Sequence, residues 1–370
     1  MSPRVLSPAG SEPRLVPISD PECRAIVRDG APQSSLRQAI MQSVAYLQKL
    51  PPQHSFAALD RRVTASELLD VVNGLAAILE RGGDLEHDVC ERFRMYRAEL
   101  PGRLLITGYY QPEVAASRIR TERFRYPLYR TPDDLIDVNI GEFAPGCGTG
   151  IAAGRVQDGK LVPYYSRAEI DGGALAGRDY EIAWLDDPVE VFFLHVQGSA
   201  RLRFADGVHM DVSYSGSNGR PYTSIGRVLI QQGKMAAETV SLFSLKDYLR
   251  AYPEEQGALF ATNQRYIFFR TVVAGPIGRL ELPLTAGRSL AADARVYPPG
   301  ALVFLRVPAP ATPASRATTE AVSRFALIQD GGAAITGADH IDVFWGSGST
   351  AEAIAGDMRS AGEVYFLLPR

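Results

Sequence analysis

The chain has 370 residues, of which 46 % are hydrophobic and 22 % charged, and its formal net charge at pH 7 is -3. This length is enough for two or three domains with a sizeable core. The charge argues against a protein that binds nucleic acid by neutralising phosphates. The sequence has no apolar run of about 18 residues, so we expect no transmembrane helix.

The composition favours a β-rich protein with many turns, because 34 Gly and 25 Pro accompany short runs of Tyr, Phe, Val and Thr. Cys23, Cys90 and Cys147 are widely spaced, and their spacing indicates neither a disulfide framework nor a zinc site. The N-terminus has no charged region followed by an apolar segment, so we expect no signal peptide. Residues 1–33 are rich in Pro and small polar residues and are predicted to form a loose arm.

Three helices are predicted to follow this arm. The first begins near Ser34 and stops at Pro51, the second is opened by a capping box at Thr64 and Glu67, and the third covers about residues 85–100. They carry apolar faces without chemically suggestive residues, so we interpret them as structural support.

From residue 103 the pattern changes to short strands separated by turns, which is typical of β-barrels. One helix is predicted at about 225–235 and another from Thr350 to Ser360. The predicted strands cover residues 104–107, 159–165, 189–196, 201–204, 209–214, 266–273, 325–328, 341–345 and 364–368.

The stretch Phe325–Gly348 places two aspartates on either side of a glycine-rich turn. Asp330 ends an apolar run, and Asp342 lies inside a second β-prone run, where acidic residues are depleted unless they have a role. An apolar environment raises the pKa of a carboxyl group and suits it to protonate a glycosidic oxygen. Alternatively, both aspartates cap turns by accepting backbone N–H groups.

Aromatic and polar residues cluster at apparent strand ends. This mixture suits a sugar polymer, because aromatic faces stack on sugar rings while amides, hydroxyls and Arg bind the ring substituents. Each turn taken alone also fits a structural role, since Tyr is commonly a core residue and Asn-Gly a hairpin turn. The candidate substrate-binding residues are Tyr109, Tyr110, Gln197, Gly198, Ser199, Asn218, Gly219, Arg220, Tyr222 and Trp345.

Several blocks, in order, resemble the membrane-bound lytic murein transglycosylase A family, which cleaves peptidoglycan and carries a C-terminal three-aspartate (3D) domain. The resemblance extends from about Gly108 to Leu368. Its blocks are GYYQP at 108–112, FLHVQGSA at 193–200, SNGRPYTSIG at 217–226, NQRYIFFR at 263–270, GRSLAAD at 287–293 and the stretch 330–348.

The resemblance implies a mainly β fold with peripheral helices. Residues 34–107 and 269–370 would form a double-psi β-barrel catalytic domain, with the three-aspartate signature at about 287–368. Residues 108–268 would form a smaller inserted β-barrel, with a glycan groove between the two.

The resemblance also implies the chemistry. The three aspartates map onto Asp293, Asp330 and Asp342, with Asp342 as the single acid/base, Asp330 supporting it and Asp293 structural. The enzyme would cleave the β-1,4 bond between N-acetylmuramic acid and N-acetylglucosamine and form a 1,6-anhydro end, without a metal or organic cofactor. This sequence has Gly331 where the family usually has Thr or Val, and it lacks the lipoprotein signal and its lipidated Cys.

From the net charge we expect no nucleic-acid partner. From the same resemblance we expect peptidoglycan glycan strands as the partner, association with other cell-wall enzymes, a monomer, and a location in the bacterial envelope on the outer-membrane side. Other interpretations stay open. The sequence has one motif of the aspartic-peptidase kind, whereas that chemistry needs two. A non-catalytic glycan-binding module would keep the aromatic turns, and a water-using glycoside hydrolase would give a reducing end.

Overall fold

The computed structural model describes residues 12–143, 151–273, 275–310 and 319–370. The chain divides into two compact units. The barrel unit consists of Met1–Tyr110 with Ile277–Arg370, and the inserted unit of Gln111–Pro276. The predicted insert was 108–268.

The barrel unit begins with helices and strands that precede the insert. In chain order these are β1 (Arg14–Pro17), α1 (Asp20–Ile26), α2 (Gln33–Leu47), β2 (Ser55–Ala58), β3 (Arg61–Thr64), α3 (Ala65–Arg81), α4 (Leu85–Arg92), β4 (Phe93–Glu99) and β5 (Leu104–Gln111).

The inserted unit follows with short strands and helices. These are β6 (Glu113–Ala115), β7 (Tyr126–Tyr129), β8 (Ile136–Asn139), α5 (Ile140–Phe143), β9 (Ile151–Gln157), β10 (Lys160–Pro163), α6 (Arg167–Asp171), β11 (Glu181–Leu185), α7 (Pro188–Gln197), β12 (Ser199–Arg203), β13 (His209–Ser217), α8 (Ile225–Gln231), α9 (Leu242–Ala251), α10 (Pro253–Thr262) and β14 (Ile267–Val272).

The chain then returns to the barrel unit. The remaining elements are β15 (Ser289–Ala291), β16 (Leu302–Pro310), β17 (Thr319–Asp330), β18 (His340–Ser347), α11 (Gly348–Asp357) and β19 (Arg359–Pro369).

Six strands of the barrel unit close on themselves in the order β19-β16-β17-β15-β18-β5, because β5 pairs back onto β19. β4 and β1 extend the sheet beyond β19. The amphipathic helices α2 and α3 pack on this sheet, and α3 has the predicted capping box between Thr64 and Glu67. The core therefore lies inside the barrel and beneath these two helices.

The inserted unit contains a second, smaller barrel. The sheet β14-β13-β12-β6 is joined to the pair β11-β7 by bridges between Arg130 and Phe269 and between Ser117 and Trp184. Each of the six strands contributes a buried side chain to a common core: Val114, Leu128, Ala183, Leu202, Val212 and Phe269. The predicted fold class, a mainly β protein with a smaller barrel inserted in the first, is confirmed.

The prediction of a loose N-terminal arm is wrong for residues 12–33, and residues 1–11 lie outside the described part. β1 pairs with β4, and Asp29 forms an ion pair with the buried Arg288 at 2.6 Å. Polar and Pro-rich composition predicted a solvated arm, but long-range pairing orders it.

A disulfide joins Cys23 of α1 to Cys90 of α4 with a Cα–Cα distance of 5.9 Å. The prediction of no disulfide framework is therefore wrong for this pair. The two cysteines are 67 residues apart in sequence, and only the packing of α1 against α4 brings them together. Cys147 lies outside the described residues.

Two predicted elements have a different structure. Residues 189–196 were predicted to be a strand but belong to α7, where Asp187 caps the first turn, Pro188 occupies the first helical position and Gly198 ends the helix at φ 81°. The predicted third helix stops at Arg92, and the chain continues as β4. Among the described residues, no helix is long and apolar enough to cross a membrane.

Candidate functional site

Asp330 and Asp342 flank the short strand β15. Ala291 of β15 pairs with Asp330 of β17 on one side and with Asp342 of β18 on the other. A bulge at Gln329 brings Asp330, rather than Gln329, opposite Ala291. Because paired residues of neighbouring strands point to the same side of a sheet, both carboxyl groups lie on one face.

Asp330 is held by three hydrogen-bond donors. The Tyr109 hydroxyl donates to Oδ2 at 2.7 Å, and the backbone N–H groups of Arg279 and Gly331 donate to Oδ1 at 3.0 and 2.9 Å. Burial raises the pKa of Asp330, while these donors and the Arg279 charge oppose that rise. Burial also raises the pKa of Tyr109 well above its usual value, so its hydroxyl stays protonated and donates. Three donors favour an ionised Asp330 in a fixed orientation.

Asp342 has a different environment. Its Oδ1 is buried and has no hydrogen-bond partner among the residues that the structure describes. Burial raises the pKa of Asp342 to about 7 and the Asp330 charge adds to this, while the Thr107 hydroxyl and the Val343 N–H oppose it. Asp342 therefore has a proton available near neutral pH, and its Oδ1 has no hydrogen-bond partner among the described residues.

Further residues on neighbouring strands complete this face. Thr107 and Tyr109 of β5 stand beside His340, Asp342 and Phe344 of β18. The Thr107 Oγ1 lies 2.8 Å from His340 Nε2, and the rings of Tyr109 and Phe344 are 5.3 Å apart. Sequence reasoning missed Thr107 and His340. Strand periodicity could have found them, because each lies two residues before a residue already chosen.

Two predicted binding residues lie on the other face of the same strands. Tyr110 is only 2 % exposed, and its hydroxyl donates to Glu352 Oε1 at 2.7 Å. Trp345 donates its indole N–H to the Met358 sulfur at 3.0 Å and packs beneath the Arg324 guanidinium. The structure thus separates both residues from the two aspartates.

Asp293 lies in a turn after β15. It pairs with Arg295 at 2.6 Å and accepts the Gly337 N–H at 2.8 Å. The Arg295 hydrogen bonds, followed by the backbone donors, lower the pKa of Asp293 to about 2. An ionised carboxylate that links two loops fits a structural acid.

The remaining predicted binding residues belong to the inserted unit. Gly198 and Ser199 connect α7 to β12, and Ser199 is buried, while Gln197 and Gly198 are half-buried. Here the turn combines a helix C-cap with the start of a strand.

The Asn218 turn connects several loops of the inserted unit. Asn218 is fully buried and donates to the carbonyls of Tyr165 and Gln264 at 2.9 and 2.8 Å. Gly219 is exposed, Tyr222 is half-buried, and Arg220 donates to the Tyr164 carbonyl at 2.8 Å. Asn218 thus fixes this turn, and the residues after it are the more accessible ones.

Among the described residues, no group of three or more His, Cys, Asp or Glu side chains is arranged to hold a metal ion.

Two family models match the chain. Residues 105–270 match the MltA specific insert domain, and residues 288–368 match the 3D domain. These matches define a class of two-part proteins that combine an inserted domain with a three-aspartate barrel.

Similar proteins agree with this class. Membrane-bound lytic murein transglycosylase A of Escherichia coli K12 is 30 % identical over 304 residues, which cover 80 % of this chain and 75 % of that protein. The crystal structure of a membrane-bound lytic murein transglycosylase from Agrobacterium tumefaciens is 30 % identical with a TM-score of 0.82, covering 96 % of this chain and 98 % of that one. A structure of E. coli MltA with bound chitohexaose has 25 % identity and a TM-score of 0.71, covering 96 % and 94 %. The chain belongs to the membrane-bound lytic murein transglycosylase A family.

Proposed function

We propose that this protein is a lytic murein transglycosylase that cleaves peptidoglycan glycan strands with Asp342 as its single acid/base. The observation that carries the proposal is the environment of Asp342, with a pKa raised to about 7 and a buried Oδ1 that lacks a partner among the described residues. Burial of this kind is how a carboxyl group remains an acid at neutral pH.

In the first step, protonated Asp342 gives its proton to the oxygen between N-acetylmuramic acid and N-acetylglucosamine. The C1–O bond breaks, and the N-acetylglucosamine part leaves as an alcohol. An oxocarbenium-like centre remains at C1 of the muramic sugar, and the ionised Asp330 on the same face favours this positive charge.

In the second step, the Asp342 carboxylate takes the proton from the C6 hydroxyl of the same sugar. The C6 oxygen attacks C1 and closes a 1,6-anhydro ring, which returns Asp342 to its protonated form without consuming water. An intramolecular nucleophile has a high effective concentration, so the reaction does not need the second catalytic carboxylate of ordinary glycosidases.

The other roles follow from burial and hydrogen bonding. We assign Asp330 and Tyr109 to the support of Asp342, and Asp293 to structure. In the inserted unit, Gln197, Gly198, Gly219, Arg220 and Tyr222 are the accessible candidates for glycan contact. Asn218 and Ser199 hold the turns that present them, and Tyr110 and Trp345 support the barrel.

We further propose that the protein acts in the cell envelope. The Cys23–Cys90 disulfide supports an oxidising compartment, and the relatives are named membrane-bound. No observation on the described residues supports association with other cell-wall enzymes or a monomeric state, so these two statements stay predictions.

The test is mass spectrometry of the soluble products from purified peptidoglycan. Wild type is expected to release anhydro-muropeptides, and Asp342→Asn to release none while keeping its thermal stability. The matched control Asp20→Asn removes an exposed carboxylate from α1 and should leave the activity unchanged. Reducing-end products would show a water-using hydrolase, and binding without cleavage would show a glycan-binding module. Either result would overturn the proposal.

A further inference from the structure

A tight turn that follows the inserted unit lies against the end of β17, beside Asp330. The Gly278 carbonyl accepts the Glu281 N–H at 3.0 Å, so Arg279 occupies the second position of a β-turn. A β-carbon at Gly278 would lie 2.8 Å from the Gln329 carbonyl oxygen. Because glycine has no β-carbon, the turn can approach β17 this closely.

Arg279 contacts the Asp330 segment through both its backbone and its side chain. Its N–H donates to Asp330 Oδ1 at 3.0 Å. A β-carbon at Gly331 would lie 3.2 Å from Arg279 Nη1 and 3.3 Å from its Cδ. The Arg279 side chain therefore lies against the backbone of residue 331, next to the space that a side chain there would fill. The following residue, Leu280, is buried and holds the turn in place.

The Arg279 guanidinium has no counterion in the part of the chain that the structure describes. The residue is exposed, and no hydrogen bond or ion pair joins its guanidinium to another described residue. Arg295 differs in this respect, because it pairs with Asp293. A free cation beside the Asp330 carboxylate offsets the repulsion that an approaching anion would meet there.

The distance to the candidate acid is short. Asp330 and Asp342 both pair with Ala291, one on each side of β15. Neighbouring strands lie about 4.8 Å apart, so roughly 10 Å separates the backbones of the two aspartates. A short stretch of glycan spans this distance. A sugar held for cleavage at Asp342 therefore brings its own substituent, or that of a neighbouring sugar, within reach of Arg279.

We propose that Arg279 binds a carboxylate of the substrate beside Asp330 and Asp342. This inference rests on the proposed function and adds what the site recognises besides the sugar rings. A planar guanidinium binds a carboxylate through two parallel N–H groups. Peptidoglycan offers this group from two sources: the free carboxylates of the peptide stem, and the lactyl carboxylate of a muramic sugar from which the stem has been removed.

The test measures the binding of three forms of one peptidoglycan oligosaccharide by isothermal titration calorimetry, in the Asp342→Asn background so that none is cleaved. The first form keeps its peptide stems, the second has free lactyl carboxylates, and the third carries those carboxyl groups as neutral methyl amides. Adding Arg279→Gln should weaken binding of at least one carboxylate-bearing form about tenfold, because a charge-assisted hydrogen bond is lost. Binding of the neutral form should stay unchanged.

Arg94→Gln in the same background is the matched control. It removes an exposed arginine of β4 and should leave the binding of all three forms unchanged. In Arg279→Gln, the form that loses affinity identifies the source of the carboxylate.

Two results would overturn the inference. Equal weakening of the charged and neutral forms would show that Arg279 acts only through Asp330, and no weakening of any form would show that its charge does not contact the glycan. If the Asp342→Asn protein binds none of the three forms, the proposed function fails together with this inference. If it binds all three and Arg279→Gln affects them alike, only this inference fails.

Discussion

At the scale of single residues, the two aspartates of the site differ through their neighbours. Asp330 accepts three hydrogen bonds, including one from Tyr109, whereas Asp342 Oδ1 is buried without a partner in the described residues. Donors stabilise the charged form, and burial without donors stabilises the neutral form. The same side chain can therefore be a fixed negative charge at one position and a proton donor at the other.

This contrast predicts the pH dependence of cleavage. Because Asp342 must be protonated to act, activity should be present below its pKa of about 7 and decline as the pH rises through that value. Asp330→Asn removes a negative charge that raises the Asp342 pKa. The declining limb of the pH–activity profile should then move to lower pH by roughly half a unit. The shift is small because burial is the larger cause of the raised Asp342 pKa.

The measurement is the cleavage rate as a function of pH for purified variants. Asp293→Asn is the control, because Asp293 is paired with Arg295 and is not among the groups that act on Asp342. A limb that stays in place in Asp330→Asn would contradict the assigned coupling between the two aspartates.

The buried setting of a residue could be predicted from sequence where a local pattern carried the signal. An aspartate between Ile341 and Val343 is chemically unusual, and the structure buries its Oδ1. Tyr110 shows the limit of such reasoning, because the strand alternation sends its side chain to the face opposite Tyr109. Thr107 was missed because its contact is with His340 of β18, which lies more than 200 residues away in sequence.

At the scale of elements, the segment before α2 is attached to the barrel by a buried ion pair. Arg288, next to β15, is fully buried and bonds Asp29 as well as the carbonyls of Ala31 and Pro32. Asp29 in turn accepts the Phe325 N–H of β17. One ion pair thus joins three segments that are distant in sequence.

Asp29→Ala should destabilise the protein by about 3–5 kcal/mol, because it leaves the Arg288 charge buried without its counterion. The measurement is urea unfolding. Asp20→Ala, which removes an exposed partner of Arg370, is the matched control and should cost less than about 1 kcal/mol. Equal losses in the two variants would show that burial of the pair has no energetic importance.

Element prediction failed where two local signals conflict or where distant contacts order a segment. Residues 189–196 have the apolar, β-branched character of a strand, yet Asp187, Pro188 and Gly198 supply both ends of a helix. The capping box of α3 was correctly predicted because it is a contact within four residues. The order of residues 12–33 could not be predicted, because it depends on Arg288 and on a distant strand.

At the scale of the whole molecule, the Cys23–Cys90 disulfide closes a long loop that contains α2, α3 and the hairpin β2–β3. A cross-link over 67 residues restricts the unfolded chain, and the chain-entropy treatment assigns this about 4 kcal/mol. Replacing both cysteines by serine should therefore lower the free energy of unfolding by about that amount.

Calorimetry of wild type and the double serine variant, with and without a reductant, measures this effect. The reductant should lower the melting temperature of wild type and leave that of the variant unchanged. Thiol titration in denaturant provides the independent control: one reactive thiol before reduction and three after it, since the sequence has three cysteines. Three thiols before reduction would contradict the disulfide.

The barrel is also assembled from segments that lie before and after the inserted unit in the sequence. β5 precedes the inserted unit, whereas β15 to β19 follow it, and β19 pairs with β4, β5 and β16. The inserted unit is a continuous segment and can fold first during synthesis, while the barrel stays open until β19 is available.

This order has a consequence for the timing of activity. In an unfolded or half-made chain, Asp342 has the ordinary acidity of an aspartate, with a pKa of about 3.9, and is ionised at neutral pH. Its proton-donating form arises only when the closed barrel buries it. An enzyme that cleaves the wall of the cell producing it would thus be inactive during its synthesis. It would become active when its last barrel strand pairs.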